Sequence, residues 1–223
     1  MAHPRISKLK TPAEFLAHLE SLGVSLPFDE QIETGDSAAL AQSLSFGSGG
    51  GQESIGNRFC ILPMEGWDAT KDGHPTDLVR RRWTNFGLSG ARLMWGCEAV
   101  AVRHDGRANP NQLLLNTETV GELAKLRELL VSTHEKQFGD VSDLSVGLQL
   151  THSGRFARPN DKATLEPRTV YPHPVLDEQF GVDPKTAILS DDDLKTLIDD
   201  FVAAAVLAEQ AGFSWIDVKH CHG

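Results

Sequence analysis

Cysteine is scarce in this sequence, and the three present, Cys60, Cys97 and Cys221, are odd in number and far apart. That spacing excludes a disulfide framework and a Cys-x-x-Cys metal site, and the apolar or strand-like runs around them predict reduced core thiols. No apolar stretch approaches the ~20 residues of a membrane span, and Met1-Ala2-His3-Pro4-Arg5 leads into no signal-peptide core, so a cytoplasmic protein is the expectation. Basic residues are also in deficit. Twenty-one Lys and Arg stand against 31 Asp and Glu, a net charge of -10, which argues against a nucleic-acid or anionic-membrane surface. No solenoid-type repeat recurs. The glycine run Gly47-Ser48-Gly49-Gly50-Gly51 is followed by no Gly-Lys-Ser/Thr and no helix start, so it reads as a turn or loose hairpin rather than a phosphate loop.

What is present is an ordinary globular composition, 40% hydrophobic and 23% charged over 223 residues. Thr11-Pro12-Ala13-Glu14 is a capping box, predicting a helix from about Pro12 to Leu22 with Phe15, Leu16 and Leu19 inward. Phe59 to Met64 is continuously apolar and predicts a buried strand. Thr76 and Asp77 start a helix carrying Leu78, Trp83 and Phe86 inward, with Arg80, Arg81 and Arg82 forming a solvated face. Arg92 to Val100 is a second strand. A further capping box at Thr119-Val120-Gly121-Glu122 opens a helix with Val120, Leu123, Leu126, Leu130 and His134 in helical register. Leu144 to Thr151 is a third strand, and a long proline-rich connection from Ser153 to Leu189 follows, of the length expected for a lid or binding segment. Ser190 caps an amphipathic helix from Asp191 to about Ala211, and Ser214 to Lys219 is the fourth strand.

Strands that alternate with helices demand a parallel sheet, either an open doubly wound sheet or part of a (β/α)8 TIM barrel. Polar groups stand at the C-terminal ends of all four strands, whereas an open sheet concentrates its ligand at one switch point. The distribution favours a barrel, of which about the first four β/α units are present.

Asn57-Arg58-Phe59 with Pro63-Met64, Asp72 to Asp77, Glu98-Ala99-Val100-Ala101-Val102, Gln149-Leu150-Thr151-His152-Ser153-Gly154-Arg155 and Asp217 to Gly223 resemble, in order, the old yellow enzyme family of FMN-dependent NAD(P)H:flavin oxidoreductases. The resemblance covers residues 44–223, read as the N-terminal half of an FMN-binding TIM barrel, and leaves residues 1–43 as an N-terminal helical and loop extension. It implies hydride transfer from NAD(P)H through FMN to an α,β-unsaturated carbonyl or related electron-poor small molecule. Pro63, Met64 and Glu65 then line the flavin, Ala99 packs beside its ring and gives it a backbone bond, and Gln149 meets its pyrimidine edge. A primary amide suits an edge that alternates N–H and C=O. Arg155 is read as structural.

Lys219 and His222 stand where the family's pair binds the acceptor oxygen, and are the catalytic candidates. The usual first histidine is replaced by Lys219, and the usual threonine or cysteine by Glu65, so a Glu65–Lys219 ion pair is expected, with His220 on the opposite side of the strand end. The proton-donating tyrosine and strands five to eight lie outside these residues, which implies half of a larger enzyme. A homo-oligomer is compatible with the sequence. Two other readings stay open: a metal-dependent barrel hydrolase using His152, His220 and His222, and a non-catalytic interaction module.

Overall fold

The computed structural model describes residues 4–46 and 53–222, which belong to two compact units, Met1–Ala41 and Gln42–Gly223. The first is built on helix α1 (Pro12–Ser21). Its capping box forms reciprocally: the Glu14 N–H donates to Thr11 Oγ1 at 3.2 Å and the Thr11 N–H to Glu14 Oε2 at 3.1 Å. Phe15 meets Phe28 edge-on at 5.1 Å, yet no residue of α1 is buried and Leu16 is exposed. A unit this short has too little chain to enclose the apolar face predicted for it.

In the second unit, β1 (Leu44–Phe46) pairs antiparallel with β2 (Glu53–Ile55). The turn read at Gly47 to Gly51 lies outside the described residues. A parallel sheet follows, made of β3 (Cys60–Ile61), β4 (Leu93–Met94), β5 (Ala99–Ala101), β6 (Ser145–Thr151) and β7 (Trp215–Val218). β3 pairs with β4, both β4 and β5 pair with β6, and β7 pairs with the other side of β6. β4 and β5 are thus two pieces of the single strand predicted from Arg92 to Val100. The break is at Gly96 and Cys97, whose φ values are 80° and 48°. A side chain at Gly96 would bring its Cβ to 2.7 Å from the Gln149 Cβ, so the glycine also permits the two strands to close up there.

The crossovers are α2 (Asp77–Leu88), α3 (Val120–Phe138) and α6 (Asp191–Gln210). They cover one face of the sheet around Trp83, Met94, Val100, Leu126, Leu148 and Leu150. On α2 the inward stripe is Val79, Trp83 and Phe86, not Leu78, which is 51% exposed. One residue along a helix turns about 100°, enough to move Leu78 off a stripe spaced i, i+4, i+7. Gly87 of α2 lies against α3: a Cβ there would come within 2.6 Å of the Leu130 carbonyl oxygen.

Three local expectations are corrected. β3 is an edge strand with no second neighbour among the described residues, so Phe59, Leu62 and Met64 are exposed rather than buried. Cys60 and Cys221 are likewise exposed, and only Cys97 is a core thiol, its pKa pushed up by burial. The Thr119 capping box does not form. The Thr119 hydroxyl donates to the Leu114 carbonyl at 2.6 Å, while Glu122 binds Arg80 at 3.0 Å and Lys125 at 2.7 Å. The connection after β6 carries α4 (Pro174–Phe180) and α5 (Pro184–Ala187). It is pinned by Arg155, which pairs with Asp177 in the interior, the structural role read for it. Ser190 and Asp193 cap α6 reciprocally, but only Ala204 and Ala208 of that helix are buried, and Ile198, Val202 and Val206 remain exposed along one edge.

Candidate active site at the strand ends

Registers place the site. Ala99, Gln149 and Asp217 are opposite one another on β5, β6 and β7, and paired residues of adjacent strands share a face. It is the concave face, away from the helices. Pro63 reaches the same place from the end of β3, since the missing Cβ of Gly96 would touch both Pro63 and Gln149. The Gln149 side chain is enclosed between these strands, and its Nε2 donates to Asp217 Oδ2 at 2.6 Å. A carboxylate only accepts, so this bond fixes which end of the amide is nitrogen and leaves the carbonyl oxygen and the second N–H for a ligand.

Beyond Gln149, the outermost strand ends converge. Lys219 Nζ binds Glu65 Oε1 at 2.5 Å, the pair expected from the two sequence departures, and His222 Nδ1 stands 4.0 Å from the same oxygen. The side chains of Lys219 and Glu65 are only 14% and 13% exposed. Burial, then the Lys219 charge, lowers the His222 pKa, and Glu65 opposes this incompletely. His222 is accordingly neutral near pH 7. Its Nδ1 is buried and has no hydrogen-bond partner among the described residues.

Two predicted residues do not join the cluster as expected. Met64 alternates away from Pro63 and Glu65, forms a bridge with Glu98 and is 46% exposed. The Ala99 N–H, predicted to bond the flavin, donates instead to the Met64 carbonyl at 2.9 Å. The metal reading finds no support: His152 turns Nε2 toward Asp105 at 3.8 Å and accepts the Gly154 N–H on Nδ1 at 3.1 Å. His220 is exposed and lines a cavity together with Lys219 and His222 rather than pointing away from them, and no group of three or more His, Cys, Asp or Glu is placed to hold a metal among the described residues.

Sequence reasoning missed what supports the site. Arg82, assigned to a solvated face, pairs with Asp68 and stands 3.0 Å from buried Glu98, which also accepts the Trp83 indole N–H at 2.8 Å. Burial raises the Glu98 pKa, against Arg82 and Trp83. These three charges tie the loop after β3 to α2 and to the start of β5. The only sequence signal was Glu98 directly before Ala99. Behind His222, a cavity of ≈ 240 Å³ is lined by His152, Arg168, Phe201, Lys219 and His220 among others.

A curled parallel sheet with helices on its outer face and polar side chains at the strand C-termini defines part of a (β/α) barrel. Residues 50–223 match the defining pattern of the NADH:flavin oxidoreductase / NADH oxidase family, and the chain belongs to that family. An NADH:flavin oxidoreductase of Gibberella zeae is 28% identical over 178 residues, 75% of this chain and 41% of its own length. An NADPH dehydrogenase of Listeria welshimeri is 30% identical over 172 residues, 76% of this chain and 46% of its own. The chain thus spans less than half the length of these relatives. Among solved structures, the old yellow enzyme homologue from Zymomonas mobilis (TM-score 0.58, 18% identity) and morphinone reductase (TM-score 0.56, 21% identity) each cover 81% of this chain, which covers 48% and 47% of theirs. The chain has the fold of part of their TIM barrel. FMN is the cofactor of the family, and a reduced nicotinamide its reductant.

Proposed function

We propose that this chain is the N-terminal half of an FMN-dependent NAD(P)H oxidoreductase whose acceptor is an α,β-unsaturated carbonyl or a related electron-poor small molecule. The observation that carries the reading is the convergence of Gln149 and the Glu65–Lys219–His222 group on one concave face, in a chain of this family. Bound FMN would supply the hydride exchange. The residues present fit it: the free edge of the Gln149 amide offers an acceptor and a donor side by side, as a pyrimidine edge requires, and Pro63 provides a small apolar side chain near it.

In this reading Lys219 and His222 receive the acceptor's oxygen. The ammonium has three N–H donors and Glu65 takes one, which leaves two for an oxygen on which negative charge develops. A fixed donor at such a position contributes more than water does because it need not reorganise. Neutral His222 adds a second polar atom without adding charge. Glu65 holds the flexible lysine stem in one geometry, an effect a histidine ring would achieve by its own rigidity.

The test is an FMN titration of the protein followed by turnover of NADPH with a neutral enone. FMN binding with turnover, and a loss of about 10²-fold in kcat for Lys219→Met, is the expected outcome. A protein that binds no FMN removes the reading.

A further inference from the structure

The cavity behind His222 has two basic side chains in its lining, Lys219 and Arg168, and each already faces a carboxylate. Glu65 holds Lys219 at 2.5 Å, and Asp105 Oδ2 stands 3.4 Å from Arg168 Nε. The imidazoles follow the same pattern, His152 lying 3.8 Å from Asp105 and His222 4.0 Å from Glu65, while His220 faces solvent. Asp105 is a firm anion: His152 first, and then Arg103, hold its carboxyl well below the usual range. The opposite wall, with Val170, Leu189, Leu194, Leu197 and Phe201, is apolar.

A pocket built this way has hydrogen-bond donors but no uncompensated positive charge. An anionic ligand entering beside Lys219 would either confront the Glu65 carboxylate in a site with little water to screen it, or displace that carboxylate and leave it enclosed without a partner. A neutral carbonyl needs neither, because it takes a remaining N–H of the ammonium. We infer that Glu65 is a specificity-determining residue that admits neutral carbonyl acceptors and excludes carboxylates, with Lys219 as the group whose charge it cancels. The inference rests on the reading of Lys219 as the acceptor's partner, but not on flavin.

Benzamide and benzoate have nearly the same shape and differ in charge, so their binding to the folded chain, followed by ligand-detected NMR without FMN, isolates the effect. The wild type is expected to bind benzamide at least tenfold more tightly than benzoate. Glu65→Gln, which keeps the size and removes the charge, should raise benzoate affinity at least tenfold, and Glu65→Gln with Lys219→Met should abolish that gain. Circular dichroism of each variant verifies the fold, and Glu65→Thr provides a second neutral replacement. Equal binding of both ligands to the wild type, an unchanged ratio in the Glu65 variants, or no binding of either ligand to any form would overturn the inference. Because FMN is absent from the measurement, a failure to bind flavin leaves this result standing on its own.

Discussion

Gln149 concentrates the most constraint in the fewest atoms, with Asp217 fixing its amide, Gly96 making room for its Cβ, and Pro63 closing the far side. Replacing it by leucine leaves a buried ligand edge unpaired, and FMN affinity in a titration is expected to fall by about 1–3 kcal/mol. Gly96→Ala should fail for a different reason. Its φ of 80° is costly for a residue with a Cβ, and that Cβ would stand 2.7 Å from the Gln149 Cβ, so a denaturant melt is expected to show a loss of roughly 1–3 kcal/mol before any ligand is considered. His134 supplies a pH dependence. It is fully enclosed and accepts no charge readily: Nδ1 lies 3.1 Å from the Gly87 carbonyl and therefore carries the hydrogen, while buried Nε2 has no partner among the described residues. Burial, and then Arg92, lowers its pKa from 6.5. The unfolded chain binds the proton more readily, so the stability that neutral His134 contributes is present above pH 6.5 and is lost as pH falls below it. Thermal melts at pH 7.5 and 5.5 should show a smaller acid-induced drop in Tm for His134→Gln than for the wild type.

Helix α2 joins core and site through one side chain. Arg82→Met would leave Glu98 and Asp68 without their cation, and a loss of roughly 3–5 kcal/mol in equilibrium unfolding is expected, far above the figure for an exposed arginine. This partner was illegible in the sequence because three consecutive arginines on a helix look alike until the loop carrying Asp68 and the strand carrying Glu98 are folded against them. Elements themselves were legible wherever period or punctuation was strong. β6, the stripe Leu123, Leu126, Leu130 and His134, and the caps at Thr11 and Ser190 stand where the pattern puts them. The Thr119 box failed because its hydroxyl had a nearer carbonyl to satisfy, a competition that spacing alone does not record. The Ala99 N–H was misread for a similar reason. Its acceptor, the Met64 carbonyl, comes from a strand brought alongside only by the parallel pairing.

At the scale of the whole second unit, the parallel strands and their three crossover helices curl into part of a barrel and leave one edge of α6 apolar, with Ile198, Val202 and Val206 spaced four residues apart, the last two beside Trp215. A stripe of this kind binds hydrophobic dyes and other chains. Val202→Glu is expected to reduce dye fluorescence and self-association of the isolated 223-residue chain in light scattering without shifting its melt. The barrel itself was legible because polar groups recur at every strand end, whereas the depth of burial was not: an apolar run such as Phe59 to Met64 announces a strand but not how many neighbours the strand will have. The Glu65–Lys219 pair has a kinetic consequence. It joins positions 154 residues apart in the chain, the ends of the two outermost strands, so it cannot form until every strand between them has taken its place. It therefore acts as a latch set after the folding barrier has been crossed. Cutting it with Glu65→Gln should leave the refolding rate of the chain unchanged in stopped-flow and make unfolding faster, so the pair's contribution to lifetime lies in how slowly the sheet reopens.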